Sequence, residues 1–149
     1  MTSHDHYSDD YLRHVLKDTK TIALVGASAK PERPSYYVMA FLLQQGYRVT
    51  PVNPGLAGAT LLGQKVVASL ADVPHPIDMV DVFRTTEAVP GIVEEAIARG
   101  ARRIWLQLGI RHDEAARRAE AAGLEVVMNR CPKIEYPRLF PPLGHRSEP

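Results

Sequence analysis

Short apolar runs alternate along the chain with longer stretches in which apolar side chains recur every three or four residues. The short runs are typical of buried strands, whereas the longer periodic stretches are typical of helices that bury one face. Strands are predicted at Thr21–Val25, Arg48–Val52, Lys65–Ala68, Asp78–Phe83, Arg103–Leu108 and Glu125–Met128. Helices are predicted at Asp9–Lys17, Ser35–Gln45, about 86–97, and from about 113 to just before Gly123.

Strands that alternate with helices at this spacing indicate βαβ units and a mostly parallel sheet. Because such crossovers are right-handed, the predicted fold is a single α/β domain, Rossmann-like and doubly wound, with helices on both faces of the sheet. We place the domain at residues 8–140 and expect residues 1–7 and 141–149 to be flexible tails. Residues 55–65 are predicted to be a loop, and the proline-rich segment from Pro132 is predicted to lie extended on the surface.

Residues 22–35 combine an apolar run, a turn of small residues and the start of a helix. Gly26 ends the run, and Lys30 and Arg33 add positive charge before the helix. Backbone N–H groups at a helix N-terminus favour anions, so this stretch is typical of a phosphate-binding turn. Only the first glycine of the dinucleotide motif is present, and the Gly-Lys-Ser/Thr end of a P-loop is absent. An ordinary strand–helix turn without a ligand therefore stays an alternative.

The composition narrows the function classes. Hydrophobic residues make up 45% of the chain and the formal net charge is +1, so nothing indicates a surface for nucleic acid or an anionic membrane. No apolar run is long enough for a membrane span, and the first residues do not resemble a signal peptide. The single cysteine, Cys131, excludes an internal disulfide, and we expect a cytoplasmic protein. His4 and His6 lack the companion ligands of a metal site.

The residue that follows the second strand bears on the identity of a nucleotide ligand. Enzymes that use NAD place an acidic residue there to bind the ribose hydroxyls, but this chain has Asn53. An acidic residue would repel a phosphate group on the ribose, whereas asparagine with cations nearby would not. NADP and coenzyme A (CoA) both carry a pyrophosphate and a phosphorylated ribose, so both stay possible on charge.

Five segments occur in a characteristic order: VGASAKPERPSY at 25–36, GYRVTPVNP at 46–54, DMVDVFR at 78–84, WLQLGI at 105–110 and VVMNRCPKIE at 126–135. Together they resemble the stand-alone CoA-binding domain family, which is similar to the N-terminal CoA-binding domain of the succinyl-CoA synthetase α subunit. The resemblance covers residues 8–140 and implies a Rossmann-like domain that holds CoA at the carboxyl ends of its strands. Asn129 departs from the pattern, because the family leads us to expect aspartate there.

The resemblance also implies a set of CoA-binding residues. The phosphate-facing turn would consist of Gly26, Ala27, Ser28, Lys30, Arg33, Ser35 and Tyr36. The adenine and ribose would be bordered by Val52, Asn53 and Pro54, and the adenine or pyrophosphate would be flanked by Phe83, Arg84 and the loop before Val89. The residues toward the pantetheine would be Gln107, Leu108, Gly109, Asn129 and Cys131.

Some of these residues also have a purely structural interpretation. Arg84 could pair with Asp81 or Glu87 instead of a phosphate. Lys30 and Arg33 could be ordinary surface charges. Cys131 could be a small core residue, or it could approach the CoA thiol. Trp105, in the middle of a strand, is predicted to belong to the core rather than to a stacking surface.

Sequence motifs for catalysis are missing. The chain has no G-x-S-x-G and no H-E-x-x-H, and His112 could cap a helix or act as a base but has no obvious nucleophile beside it. We therefore predict a non-catalytic protein that binds CoA or an acyl-CoA as a sensor, carrier or regulatory module, without a metal and with an unknown protein partner. The alternatives are a small NADP-dependent oxidoreductase and an interaction scaffold without a ligand.

Overall fold

The computed structural model describes residues 3–141 and contains five helices and seven strands in that range. The helices are α1 (Asp9–Asp18), α2 (Pro34–Gln44), α3 (Val89–Ala98), α4 (Asp113–Ala121) and α5 (Pro132–Leu139). The strands are β1 (Thr21–Val25), β2 (Arg48–Val52), β3 (Thr60–Leu61), β4 (Gln64–Lys65), β5 (Met79–Val82), β6 (Arg103–Leu106) and β7 (Glu125–Val127). Short 3-10 turns occupy Pro54–Leu56, Leu70–Asp72 and Thr86–Ala88.

The main sheet has five parallel strands in the order β2-β1-β5-β6-β7, which confirms the predicted doubly wound α/β fold. From β1 the chain first moves outward to β2, and then returns across β1 to form β5 on its other side. The strand order therefore reverses between β1 and β5. In parallel sheets of this kind, ligands bind in the crevice at the carboxyl ends of the strands where the order reverses.

Alternate residues of the central strands face two separate hydrophobic cores. Ile22 and Leu24 of β1 pack with α1, α2 and α5, whereas Ala23 and Val25 pack with α3 and α4. This period of two is what a strand buried on both faces requires. Trp105 lies in the first core with 0% of its surface exposed, and its indole N–H donates to the carbonyl oxygen of Arg130 at 2.8 Å, which confirms its predicted core role.

The segment after β2 differs from the predicted loop. Strands β3 and β4 pair antiparallel across a two-residue turn in which Leu62 and Gly63 both have positive φ angles, of 50° and 79°. Such turns match the natural twist of a hairpin, and the buried side chain of Leu61 anchors this one to the core. The strand predicted at Lys65–Ala68 is reduced to the end of β4 and a single parallel bridge between Val52 and Val67.

The prediction of an extended surface tail from Pro132 is wrong, because this segment forms the helix α5. Pro132 occupies the first turn, where its missing N–H costs nothing. Pro132, Tyr136 and Leu139 recur at helical spacing, and the Tyr136 ring lies 5.9 Å from that of Phe41. Burial of this apolar face outweighs the hydrogen bond that Pro137 removes from the exposed side of the helix.

Residues 1–7 are predicted to be a flexible tail, but the structure shows contacts between part of this segment and the rest of the domain. The Tyr7 hydroxyl accepts a hydrogen bond from the backbone N–H of Met128 at 2.8 Å, and its ring stacks on that of Tyr11. Arg111 forms an ion pair with Asp5 at 2.9 Å. Tyr7 and Asp5 therefore hold this segment against the body of the domain. The second predicted tail falls, from residue 142 onward, outside the described residues.

Candidate functional site

The turn after β1 brings three loops of the sheet edge into contact. Gly26 has a φ angle of 91°, and a Cβ atom added to it would overlap the carbonyl oxygen of Phe83, so only glycine fits this position. The backbone N–H groups of Gly26 and Ala27 both donate to the carbonyl oxygen of Val52, at 3.1 and 3.3 Å. Gly26 is therefore required by the packing of β1 against the ends of β2 and β5. Its N–H group is already used inside the protein.

The N-terminus of α2 lies directly after this turn. Arg33 is the N-cap residue, no side chain caps the helix, and its first turn contains no acidic residue. Pro34 opens the helix and the side chain of Ser35 is buried behind it. The positive end of the helix dipole is thus left without a compensating carboxylate in its own first turn. This arrangement favours an anion at the start of α2.

Two cavities open at the carboxyl edge of the sheet, on either side of Phe83. The first, which we call the α5 cavity, has a volume of about 690 Å³ and lies between α2, α5 and the end of β6. The second, the β2 cavity, has a volume of about 520 Å³ and lies between the end of β2 and α3. Gly26, Phe83 and Arg84 line both cavities, so the two spaces meet where the strand order reverses.

Most of the residues predicted to bind a ligand line one of these cavities. The α5 cavity is lined by Gly26, Ser28, Arg33, Ser35, Phe83, Arg84, Gln107, Leu108 and Cys131. The β2 cavity adds Val52, Asn53 and Pro54. One edge of the fold therefore brings together twelve of the predicted residues, although they come from five separate segments of the sequence.

Three cations line the α5 cavity without an ion pair in the described part of the chain: Arg33, Arg84 and Lys133. The alternative in which Arg84 pairs with Asp81 or Glu87 is therefore wrong. Both carboxylate oxygens of Asp81 lack a hydrogen-bond partner, and the side chain is completely buried in the strand. The arginine is exposed and faces solvent at the junction of the two cavities.

Comparison with known proteins identifies the family of the chain. A family model described as CoA binding domain matches residues 20–137, which include all the strands of the sheet and every residue of both cavities. The chain belongs to this CoA-binding domain family.

Three relatives show how the family's domain occurs elsewhere. The protein YneT of Bacillus subtilis (strain 168) is 38% identical over 125 residues, which are 84% of this chain and 91% of YneT. The structure of cell-free ID.343 from Thermus thermophilus is 45% identical with a TM-score of 0.86, and the match covers 90% of this chain and 100% of that one. Acetate–CoA ligase [ADP-forming] I subunit alpha of Pyrococcus furiosus is 32% identical over 58% of this chain, but over only 20% of that subunit.

Six residues that the family resemblance implicated line neither cavity: Ala27, Lys30, Tyr36, Val89, Gly109 and Asn129. Val89 and Ala27 are buried in the two cores. Asn129 has a positive φ angle of 58°, and its side-chain oxygen accepts a hydrogen bond from Gly109 N–H at 2.7 Å. This hydrogen bond connects the loop after β7 to the loop after β6. The amide of Asn129 therefore stabilises the loops at the edge of the site without lining a cavity.

Several cavity residues lie outside the sequence-based set. Two of them, Tyr37 and Ile134, join the predicted Leu108 as the large hydrophobic side chains that are most exposed in residues 3–141, and all three line the α5 cavity. Lys133 and Ile134 come from α5, which was predicted as an extended tail and so offered no helical face. Tyr37 lines the cavity, whereas the neighbouring Tyr36, which was the predicted residue, packs against the core.

The amide side chains of the site differ in their hydrogen bonding. Asn53 donates to the carbonyl oxygen of Ala27 at 2.7 Å and accepts from Gly55 N–H at 2.8 Å, so it braces the turn after β2 against the turn after β1. Gln107 is 5% exposed, and its side-chain oxygen has no partner within residues 3–141. A buried amide oxygen without a partner is costly, so Gln107 favours a ligand that donates an N–H.

Both loop histidines take part in hydrogen bonds within the fold. Nε2 of the buried His75 lies 2.7 Å from the Thr50 hydroxyl, and its Nδ1 lies 2.8 Å from the carbonyl oxygen of Pro76. His112 caps α4, where its Nδ1 accepts from Ala115 N–H at 3.0 Å. Within residues 3–141 no three His, Cys, Asp or Glu side chains cluster as metal ligands, and no helix is both long and apolar enough to cross a membrane.

Proposed function

We propose that this protein binds CoA or an acyl-CoA at the carboxyl edge of its sheet and does not catalyse a reaction on its own. The observation that carries the proposal is the junction of the two cavities at Gly26, Phe83 and Arg84, with cations that the rest of the described chain leaves unpaired. The membership in the CoA-binding domain family supports the same ligand.

The pyrophosphate would lie at the junction. Arg84 presents an exposed guanidinium there, and Arg33 lies at the N-terminus of α2, whose dipole favours negative charge. A guanidinium binds phosphate oxygens in pairs, and such charge-assisted hydrogen bonds are roughly twice as strong as neutral ones.

The two ends of CoA differ in polarity as the two cavities do. The β2 cavity offers Val52, Pro54 and Ile92 to the faces of an adenine ring, with the carboxylate of Glu95 at its edge. The α5 cavity offers the amide of Gln107 and an apolar wall that includes Val38 and Ile110. The α5 cavity suits the pantetheine arm, whose amides need acceptors and whose methylene groups need apolar contacts.

An acyl group on the thiol would meet the exposed side chains of Tyr37, Leu108 and Ile134 at the rim of the α5 cavity. Because these three side chains line the same cavity, they can offer an acyl chain apolar contacts. We therefore include short acyl thioesters in the proposed ligand class. The proposed role is that of a sensor, carrier or regulatory module.

A thermal-shift titration with CoA, acetyl-CoA, NADP and NAD tests this proposal, because a ligand that binds only the folded state raises the melting temperature. We expect CoA and acetyl-CoA to raise it at concentrations where NAD does not. A larger shift with NADP than with CoA or acetyl-CoA would support a reductase instead. No shift with any of the four would support an interaction scaffold.

A further inference from the structure

The one cysteine of the chain lies inside the α5 cavity. Cys131 is 6% exposed, precedes the first turn of α5 and lines the cavity together with Gln107. The preceding residue is fixed against β6 by two hydrogen bonds: Arg130 N–H donates to the carbonyl oxygen of Leu106, and its own carbonyl oxygen accepts from the Trp105 indole. The thiol is therefore held at the cavity wall by the backbone of the sheet edge.

Gln107 supplies an independent sign that a ligand reaches this part of the cavity. Its side chain is 95% buried, and its oxygen has no hydrogen-bond donor within residues 3–141. The pantetheine arm of CoA ends in an amide N–H that is separated from the thiol by two methylene groups. If that N–H satisfies Gln107, the sulfur of CoA lies within a short reach of the same cavity wall, where Cys131 is the only thiol in the chain.

We propose that Cys131 undergoes thiol–disulfide exchange with CoA disulfide and holds one CoA as a mixed disulfide in the α5 cavity. This inference rests on the proposed CoA binding. The Cys131 thiolate attacks one sulfur of CoA disulfide, the new protein–CoA S–S bond forms as the old S–S bond breaks, and the second CoA leaves as a thiolate that takes a proton from water. CoA disulfide is the oxidant, and a reducing thiol reverses the step.

The charges around the cavity make the reaction selective for this disulfide. Arg33, Arg84 and Lys133 line the space that contains Cys131, so they attract the phosphate groups of CoA disulfide. Glutathione disulfide has the same reactive S–S bond but no phosphate groups. A cysteine that merely fills the core would react with neither disulfide in the folded protein.

Intact-mass spectrometry of the folded protein in CoA disulfide, and in parallel in glutathione disulfide at equal concentration, tests the proposal. We expect a mass gain of one CoA less two hydrogens, which reductant removes, and we expect this adduct to form at least about tenfold faster than the glutathione adduct. Arg84→Ala should slow the reaction with CoA disulfide more than the reaction with glutathione disulfide, which carries fewer negative charges. Cys131→Ser should give no adduct with either.

Calorimetry with reduced CoA separates this proposal from the proposed function. If CoA binds but the folded protein gains no adduct, and Cys131 is labelled only after unfolding in urea, the exchange proposal is overturned while the binding function stands. If CoA binds and both disulfides react at equal rates, the reactivity is generic and the proposal is overturned too. If CoA does not bind at all, both proposals are wrong.

Discussion

Arg103 and Arg84 lie at opposite edges of the same sheet, Arg103 as the first residue of β6 and Arg84 two residues after the end of β5. Arg103 is 2% exposed, and its guanidinium contacts Asp18 at 2.8 Å and Glu125 at 2.9 Å and donates to the Thr19 hydroxyl at 3.1 Å. Arg84 is exposed and has no ion pair in the described chain.

The difference separates arginines that hold the fold from arginines that are available to a ligand. At the amino edge the protein supplies an acceptor for each of the three guanidinium nitrogens of Arg103, so removal of Arg103 leaves two carboxylates close together. At the carboxyl edge the protein leaves the positive charge unmatched, so a phosphate can supply the acceptors. Stability and ligand affinity should therefore respond to different arginines.

Replacement of Arg103 should give the largest effect on stability. We expect Arg103→Met to lower the free energy of unfolding by about 2–4 kcal/mol, because Asp18 and Glu125 lose a shared partner that is buried. Urea denaturation followed by circular dichroism measures this change. CoA affinity of the folded variant should stay within about twofold of wild type. A stability loss under about 0.5 kcal/mol would contradict the claim that Arg103 stabilises the fold.

Replacement of Arg84 should have the opposite profile. We expect Arg84→Ala to weaken CoA binding by about 1–3 kcal/mol, because a charge-assisted contact to phosphate is lost, and to change stability by less than about 0.5 kcal/mol. Isothermal titration measures the affinity. Arg48→Ala is a matched control, because Arg48 is also exposed but begins β2 at the other edge of the sheet. Wild-type affinity in Arg84→Ala would place the phosphates elsewhere.

The buried acid beneath the site should make stability fall as pH rises. Burial raises the pKa of Asp81 well above its ordinary value, so the folded state keeps a proton that the unfolded state releases above pH ~4. Wild type should therefore lose stability relative to Asp81→Asn as pH rises from ~4 toward the raised pKa. Urea titrations at a series of pH values measure this difference.

Asp113 provides the control of opposite sign for that experiment. The hydrogen bond from Arg111 lowers the pKa of Asp113, so its contribution is present above the ordinary pKa and is lost as pH falls. As the pH falls, the stability of Asp113→Asn should approach that of wild type from below. The stability of Asp81→Asn should approach it from above. If the two variants have pH slopes of the same sign, Asp81 is ionised in the folded protein.

The smallest expected effect concerns the phosphate on the ribose. Lys30 is exposed near the turn after β1 but lines neither cavity, so any contact with that phosphate is screened by salt. We expect wild type to bind dephospho-CoA more weakly than CoA, and Lys30→Ala to reduce this preference by less than about 1 kcal/mol. Competition titrations at low and high salt measure it. An unchanged preference in Lys30→Ala would leave Arg33 as the candidate.

The sequence predicts the sheet better than the site. Strands β1 and β2 have the predicted bounds, because Gly26 and the Asn53-Pro54-Gly55 turn stop their apolar runs sharply. The carboxyl ends of parallel strands lie at one edge of a sheet, so the meeting of the loops after β1, β5 and β6 could be expected.

The parts of the site that were missed depend on tertiary packing. Four prolines made the segment from Pro132 look extended, although its apolar residues have helical spacing, and so Lys133 and Ile134 were not foreseen. The close contact between Gly26 and the Phe83 carbonyl depends on the exact approach of β1 and β5, which no local pattern encodes. The unpaired state of Arg84 depends on where every acidic side chain lies.

Isothermal titration of wild-type protein with CoA and with NAD tests the central claim most directly. We expect CoA to bind with one site per chain and more tightly than NAD, because the unpaired cations face a pyrophosphate that both ligands carry, whereas only CoA carries a pantetheine arm for the α5 cavity. Equal or tighter binding of NAD would contradict it.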